Sequence, residues 1–305
     1  GCFRCGLEAG KSSLHGFTLQ TLARPPFPLP CCTADNENGK NAGCRLLSTR
    51  PTSICVKIPP FRFLNMGNWL MRLHIYLMRH GQTEFNRQGL VQGWADSPLT
   101  EEGKAGIVQS AQYFAQHYAL RFDAAFCSTL ARTQATAQLF LDTLKQGDLP
   151  IQALDDLREY RFGGFERQSS LQLQQRLAQE NGFDNVDDWL YAYRHGKTHR
   201  LAETVSRIDP AQQAENEQDF IARLQRGMDA VIDASPDNAH VLVVSHGMAI
   251  TALLKCIDPE STPYRSVPNA SLSRISLTAR QVGTSTALAN KVQAAFEAAK
   301  FSIYY

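Results

Sequence analysis

From residue 71 onward the apolar positions follow two different rhythms. Short runs at 73–78 (LHIYLM), 123–127 (DAAFC) and 240–245 (HVLVVS) are almost continuously apolar, as strands buried on both faces must be, and the last is the most strand-like in the chain. The run 151–155 (IQALD) predicts a weaker strand, and 271–277 (SLSRISL) alternates apolar with polar residues, as a final strand near a sheet edge would. Between these runs the spacing turns helical. Residues 101–118 place Ile107, Ala111, Phe114, Ala115 and Tyr118 at helical intervals, with Thr100 as N-cap and two acids in the first turn. Further helices are expected over 129–145, capped by Ser128 and ended by Gln146-Gly147, and over 215–234, with Phe220, Leu224, Met228, Val231 and Ile232 on one side. Another is expected over 248–256, and 167–200 reads as two polar amphipathic helices. Strands alternating with helices predict an α/β sheet covered on both faces. No internal repeat is present, and 282–305 is mildly amphipathic without a motif.

Composition separates the first 70 residues from the rest. They hold 8 of the 31 Lys+Arg and 3 of the 29 Asp+Glu, six of the eight cysteines and seven of the fourteen prolines. The remainder therefore carries 31 − 8 = 23 basic against 29 − 3 = 26 acidic residues, a balance of −3 that does not suit a nucleic-acid binder. Cys2 and Cys5 have metal-ligand spacing, but no second pair repeats it, so a disordered leader is expected over a zinc or disulfide module. The chain starts at Gly1, and Met66 and Met71 stand just before the first convincing strand, so the functional protein is expected to begin there. The expected division is a leader over 1–65, one catalytic domain over 66–280 and a tail over 281–305. No run reaches the roughly 18 to 20 apolar residues of a membrane span, and no secretory signal is evident. A cytoplasmic protein with neither membrane nor nucleic-acid partner is the expectation.

The triplet Arg-His-Gly occurs twice. Arg79-His80-Gly81 directly follows a strand, at the edge where open α/β sheets bind ligands. Arg194-His195-Gly196 ends an amphipathic stretch, where Gly196 suits the C′ position and the basic groups suit the helix end, so its expected role is capping. Three other segments share the first triplet's location. FCSTLARTQATA carries Arg132 in the first turn of a helix, VVSHGMAI carries His246-Gly247 after the strongest strand, and LREYRFGGFE carries Glu159 before the turn-permitting Gly163-Gly164. Singly, each has an ordinary reading: a packed histidine, a surface arginine, a loop carboxylate. Jointly, two arginines, two histidines and one carboxylate at matching strand ends suit a phosphoryl group. Guanidinium forks match phosphate oxygens and stay charged. A neutral imidazole can attack phosphorus, and a carboxyl of raised pKa can protonate the leaving oxygen, so no metal or other cofactor is required.

The blocks LMRHGQTEFN, VQGWADSPLTEEG, CSTLARTQATA, LREYRFGGFE and VVSHGMAI, in this order from about Leu73 to Leu277, resemble those of the histidine phosphatase superfamily, in the branch of the cofactor-dependent phosphoglycerate mutases and related phosphatases. The resemblance implies a three-layer α/β/α sandwich with a mostly parallel sheet. It implies His80 as the phosphorylated nucleophile, Glu159 as proton donor, and Arg79, Arg132, His246 and Asn86 around the phosphate. Gln92 and Gly93 would lie in a block that approaches the substrate, and Gly247 would let backbone near the pocket. The mutases typically continue after the acid with a Glu-Arg-His-Tyr-Gly-like run that grips phosphoglycerate, whereas Glu159 here leads into Tyr160-Arg161-Phe162, closer to the broad phosphatases. Ala214-Glu215-Asn216 stands where the phosphatases often have Gly-Glu-Ser, and the family's usual ending after the last strand is missing. The expectation is a metal-independent phosphatase of small phosphorylated substrates. A 2,3-bisphosphoglycerate-dependent mutase and a non-catalytic phosphate-binding module remain as alternatives. Residues 167–213 would roof the pocket, with Trp189, Tyr191, Tyr193, Arg194 and His199 either meeting a ligand or forming an amphipathic cover.

Overall fold

Every apolar run singled out above forms a strand: β1 Leu70–Arg79, β2 Ala124–Ser128, β3 Ile151–Leu154, β4 Ala239–Ser245 and β5 Leu272–Val282, joined by a short β6 at Ser285–Ala287. The structure, a computed structural model, describes residues 70–260, 262–282 and 285–287, so the leader with its cysteines and most of the tail lie outside it. One sheet takes the order β3-β2-β4-β1-β5-β6. β1, β2, β3 and β4 are parallel, while β5 runs antiparallel to β1 and β6 antiparallel to β5. β1 and β4 pair in a register that sets Arg79 opposite Ser245.

The period-two alternation of a strand sorts β1 between two cores. Leu73, Ile75 and Leu77 face one cluster with residues of α7 (Glu217–Asp233) and α8 (Gly247–Ile257), and Tyr76 and Met78 face another with α2 (Glu101–His117) and α3 (Ala131–Thr143). This is the three-layer sandwich. α2 is capped by Thr100, whose hydroxyl accepts from Gly103 N. α3 departs from expectation: its N-cap is Leu130, without a side-chain cap, and the Ser128 hydroxyl, two residues earlier, accepts from Leu130 N at 3.3 Å and meets Thr133 and His246 at 2.8 and 2.7 Å. A four-residue helix, α1 (Glu84–Arg87), completes the loop after β1 with a capping box between Thr83 and Asn86.

The two helices expected over 167–200 form as α4 (Ser170–Glu180) and α5 (Val186–Arg194), and a third, α6 (Arg200–Ile208), follows them without having been expected. The second Arg-His-Gly triplet caps α5, with His195 Nδ1 on the Tyr191 carbonyl at 2.8 Å and Gly196 N on the Tyr193 carbonyl at 3.1 Å. α6 was hidden by its cap. His199 fills that position, its Nδ1 accepting from Ala202 N, and lies fully packed beneath Tyr193, Tyr160 and Tyr264. It belongs to the cover's interior, as does Trp189, while Tyr191 is exposed.

Burial lowers the His199 pKa from 6.5 to about 4. Above the higher value both folded and unfolded chains hold it neutral. Between the two values the unfolded chain binds a proton that the folded one refuses, so stability falls as pH drops through this window, by about 3 kcal/mol in total. His199→Asn keeps a good capping acceptor without the titration. The fall in Tm from about pH 7 to about pH 4.5 is therefore expected to shrink by several degrees in this variant. An unchanged fall, followed by calorimetry, would contradict the assignment.

Candidate active site

β1 and β4 end at one edge of the sheet, and each delivers a histidine directly after its last residue. The His80 amide extends the pairing by donating to Ser245 O at 3.1 Å. His80 Nδ1 lies 2.8 Å from the Gly81 carbonyl. A carbonyl can only accept, so Nδ1 carries the hydrogen and Nε2 holds the lone pair. The residue is 3% exposed, and burial, then the charges of Arg132 and Arg79, hold its pKa well below 6.5, which keeps it neutral at neutral pH. His246 is equally buried and held neutral for the same reasons, burial first. Its Nδ1 accepts from Arg132 Nη2 at 3.0 Å, so its Nε2–H donates to Ser128 Oγ at 2.7 Å. The two imidazole centroids are 5.3 Å apart at 62°.

Two guanidinium groups flank these rings. Arg132 leaves the first turn of α3 and is anchored by Asp96 at 2.9 Å and by the carbonyls of Ala95 and Gly93 at 3.1 and 2.7 Å. Arg79 donates through Nη1 to the Val267 carbonyl at 2.5 Å. Burial lowers its pKa to about 10, which still leaves it charged at neutral pH. The Nε atoms of Arg79 and Arg132 are both buried without a hydrogen-bond partner. Unpaired buried donors are costly, and each of these two is available to an oxyanion, whereas a third such atom, Arg274 Nε, belongs to a guanidinium over Tyr76. Among the described residues no group of three or more His, Cys, Asp and Glu side chains is placed to hold a metal ion.

Glu159 closes the cluster from the loop that follows β3 and a 3-10 turn at Asp155–Leu157. Its Oε1 accepts from Tyr160 N at 2.9 Å and Ala249 N at 3.0 Å, and its Oε2 accepts from Met248 N at 3.0 Å, so the carboxyl rests on the first turn of α8. Burial raises its pKa above 4.5, against the lowering pull of these N–H groups and of Arg132 and Arg79. A raised carboxyl pKa beside neutral imidazoles is the pairing needed for acid catalysis.

The remaining expected residues sit around this core. Asn86 donates to Gln92 Oε1 at 3.3 Å and accepts from Asn269 Nδ2 at 3.2 Å, and Asn269 also reaches the His80 carbonyl at 3.0 Å. Gln92 is tied into its own loop, accepting from Thr83 Oγ1 at 2.7 Å and donating to Ser97 Oγ at 3.1 Å. A side chain on Gly93 would overlap the Tyr160 carbonyl, and one on Gly247 would lie 3.2 Å from the Arg79 guanidinium while overlapping Ser266. All nine expected positions are thus brought to one sheet edge.

A sequence model described as the histidine phosphatase superfamily (branch 1) matches residues 75–289. The chain belongs to the histidine phosphatase superfamily. It is 34% identical over 192 residues to a 2,3-bisphosphoglycerate-dependent phosphoglycerate mutase of Methylobacterium sp. (strain 4-46), covering 62% of this chain and 82% of that one. To the adenosylcobalamin/alpha-ribazole phosphatase of Escherichia coli (strain K12) it is 36% identical over 120 residues, covering 39% of this chain and 56% of the relative. The crystal structure of a phosphoglycerate mutase from Bacillus anthracis str. Sterne matches with a TM-score of 0.62 at 29% identity, over 68% of this chain and 88% of that one. Membership supports a phosphatase- or mutase-type enzyme acting on small phosphorylated compounds. Among the described residues no helix is long and apolar enough to cross a membrane.

Several supports of this histidine phosphatase superfamily site were not anticipated. Asp96 anchors Arg132, whose Nη2 fixes the His246 tautomer, Ser128 takes the His246 Nε2–H, and Asn269 joins Asn86 to the His80 backbone. Glu166 braces the loop carrying Gly93 by accepting from Trp94 N at 2.8 Å and from Ala95 N. Asp96 lay within a recognised block, VQGWADSPLTEEG, so a signal for it existed. For Asn269, 189 residues from its partner His80, no local pattern points to the contact.

Proposed function

We propose that the protein is a phosphomonoester hydrolase working through a phosphohistidine on His80. The observation that carries this reading is the neutral His80 ring, with Nε2 unprotonated, beside two buried guanidinium groups and a carboxyl of raised pKa. His80 Nε2 attacks phosphorus, forming the P–N bond as the P–O bond to the leaving group breaks, and Glu159 protonates that oxygen. Oε1 already accepts two N–H groups and Oε2 one, so the proton rides on Oε2. Water then attacks phosphorus, the P–N bond breaks, and Glu159 recovers a proton from the water. Arg79 and Arg132 hold the phosphoryl oxygens. His246 steadies Arg132 and offers an Nε2–H for which a phosphate oxygen competes with Ser128, and Asn86 has a second amide hydrogen to give. Gln92 shapes the approach, and Gly93 and Gly247 keep backbone close to the pocket.

Hydrolysis is favoured over mutase action by the residues after the acid. Tyr160 is fully buried, with its hydroxyl turned to the carbonyls of Ala202 and Glu215 at 3.1 and 2.6 Å. It therefore offers no cation where the mutases have one. The mutase remains the second reading because a curated mutase is 34% identical over most of its own length. The test is a phosphate-release screen over sugar phosphates, phosphoglycerates, nucleotides, cofactor precursors and phosphopeptides, run beside a 3- to 2-phosphoglycerate conversion assay. Net phosphate release without stimulation by 2,3-bisphosphoglycerate is expected. Isomerisation that depends on this compound and releases no phosphate would replace the hydrolase with the mutase.

A further inference from the structure

Glu159 is held at both ends. While its carboxyl rests on α8, its carbonyl oxygen accepts the Trp94 indole N–H at 2.9 Å and Arg223 Nη2 at 3.0 Å. Arg223 comes from the second turn of α7, and its Nη1 reaches the carbonyls of Asp156 and Arg158 at 3.0 and 2.9 Å. Its Nε and Nη2 meet Glu215 Oε1 and Oε2 at 2.6 and 2.7 Å. Glu215 continues the chain of contacts on the far side of the acid, accepting Arg161 N on Oε2 at 2.9 Å and the Tyr160 hydroxyl on its carbonyl at 2.6 Å. The backbone of Arg158, Glu159 and Arg161 is therefore tied to one ion pair whose side chains are only 9% and 13% exposed.

Arg79, Arg132 and Arg223 divide by what they have left to give. A guanidinium has five N–H donors, and Arg223 commits all of them to the five bonds just described. Arg79 and Arg132 each keep an unpartnered Nε. Arg223 thus has no donor for a substrate. Nor is the pair required to fasten α7, which is already anchored by Phe220, Leu224, Val231 and Ile232. A buried ion pair contributes little net stability after desolvation, so fixing geometry is what this one can supply.

We propose that the Arg223–Glu215 pair is a positioning device for proton transfer by Glu159, an inference that rests on the donor role assigned to that residue. Arg223→Met in the full chain is expected to lower kcat/KM for an alkyl phosphate by about 30- to 100-fold, and for nitrophenyl phosphate by less than about threefold. kcat/KM is the useful readout because it reports the step in which the leaving group departs. Arg223→Lys should recover part of the loss, and Arg223→Met should add nothing on the alkyl ester once Glu159→Gln is present. Should Arg223→Met fail to fold, Glu215→Gln preserves volume and is expected to give the same selective pattern at about tenfold. Equal losses on both esters, or losses that multiply with those of Glu159→Gln, would overturn the positioning role alone. Absence of leaving-group dependence in Glu159→Gln itself would remove the donor assignment and this proposal with it.

Discussion

His80→Ala is expected to lower phosphate release by at least about 10,000-fold, because a covalent route cannot be replaced by the pocket alone. The arginines and His246 would still bind an anion in the variant, so the loss belongs in kcat and not in substrate affinity. The fold should survive. The ring's hydrogen bond goes to its own neighbour, Gly81, and no distant element hangs on the imidazole. Far-ultraviolet circular dichroism and Tm establish that point. Brief exposure of the native enzyme to a phosphorus-labelled substrate should leave an acid-labile, base-stable label that the variant lacks. Retained turnover in His80→Ala, or a label elsewhere, would end the phosphohistidine reading.

Glu159→Gln carries the second largest expected effect, and one that depends on the substrate. Alkyl phosphates leave as poor alkoxides unless protonated, and a positioned acid contributes about 100- to 10,000-fold there. A nitrophenolate leaves without help, so kcat/KM for its ester should fall by less than about tenfold. The pH dependence follows from the two shifts. His80 acts as the neutral ring, and its pKa is held below 6.5, so activity is lost as pH falls through that lowered value. Glu159 acts as the protonated acid, and its pKa is raised above 4.5, so activity is lost as pH rises through that raised value. Native kcat/KM on an alkyl ester should therefore be bell-shaped, and Glu159→Gln should lack the alkaline limb. An alkaline limb that persists unchanged in the variant would transfer the acid role to another group.

How much of this was legible in the chain depended on the range of each interaction. Strands buried on both faces leave runs such as HVLVVS, and a loop at a strand end places Arg79, His80, His246 and Glu159 by connectivity alone. Ser128 was misread because a serine before a helix has an ordinary use as a cap. Only the fold brings His246, 118 residues later, within 2.7 Å of its hydroxyl. α6 escaped because its cap is a histidine, although Leu201, Ala202, Val205 and Ile208 carry a helical period. The Arg223–Glu215 pair had a local sign, an acid and a base eight residues apart. Its meaning lay in backbone carbonyls more than 60 residues upstream, and carbonyls leave no trace in a sequence.

The register that sets Arg79 opposite Ser245 puts His80 and His246 on the next rung of the same ladder. Adjacent strands stand about 4.8 Å apart in every sheet, and the two imidazoles, 5.3 Å between centroids, inherit that repeat. The spacing of the two rings thus follows from peptide geometry, while the guanidinium groups beside them are placed by loop contacts such as those of Asp96 and Val267.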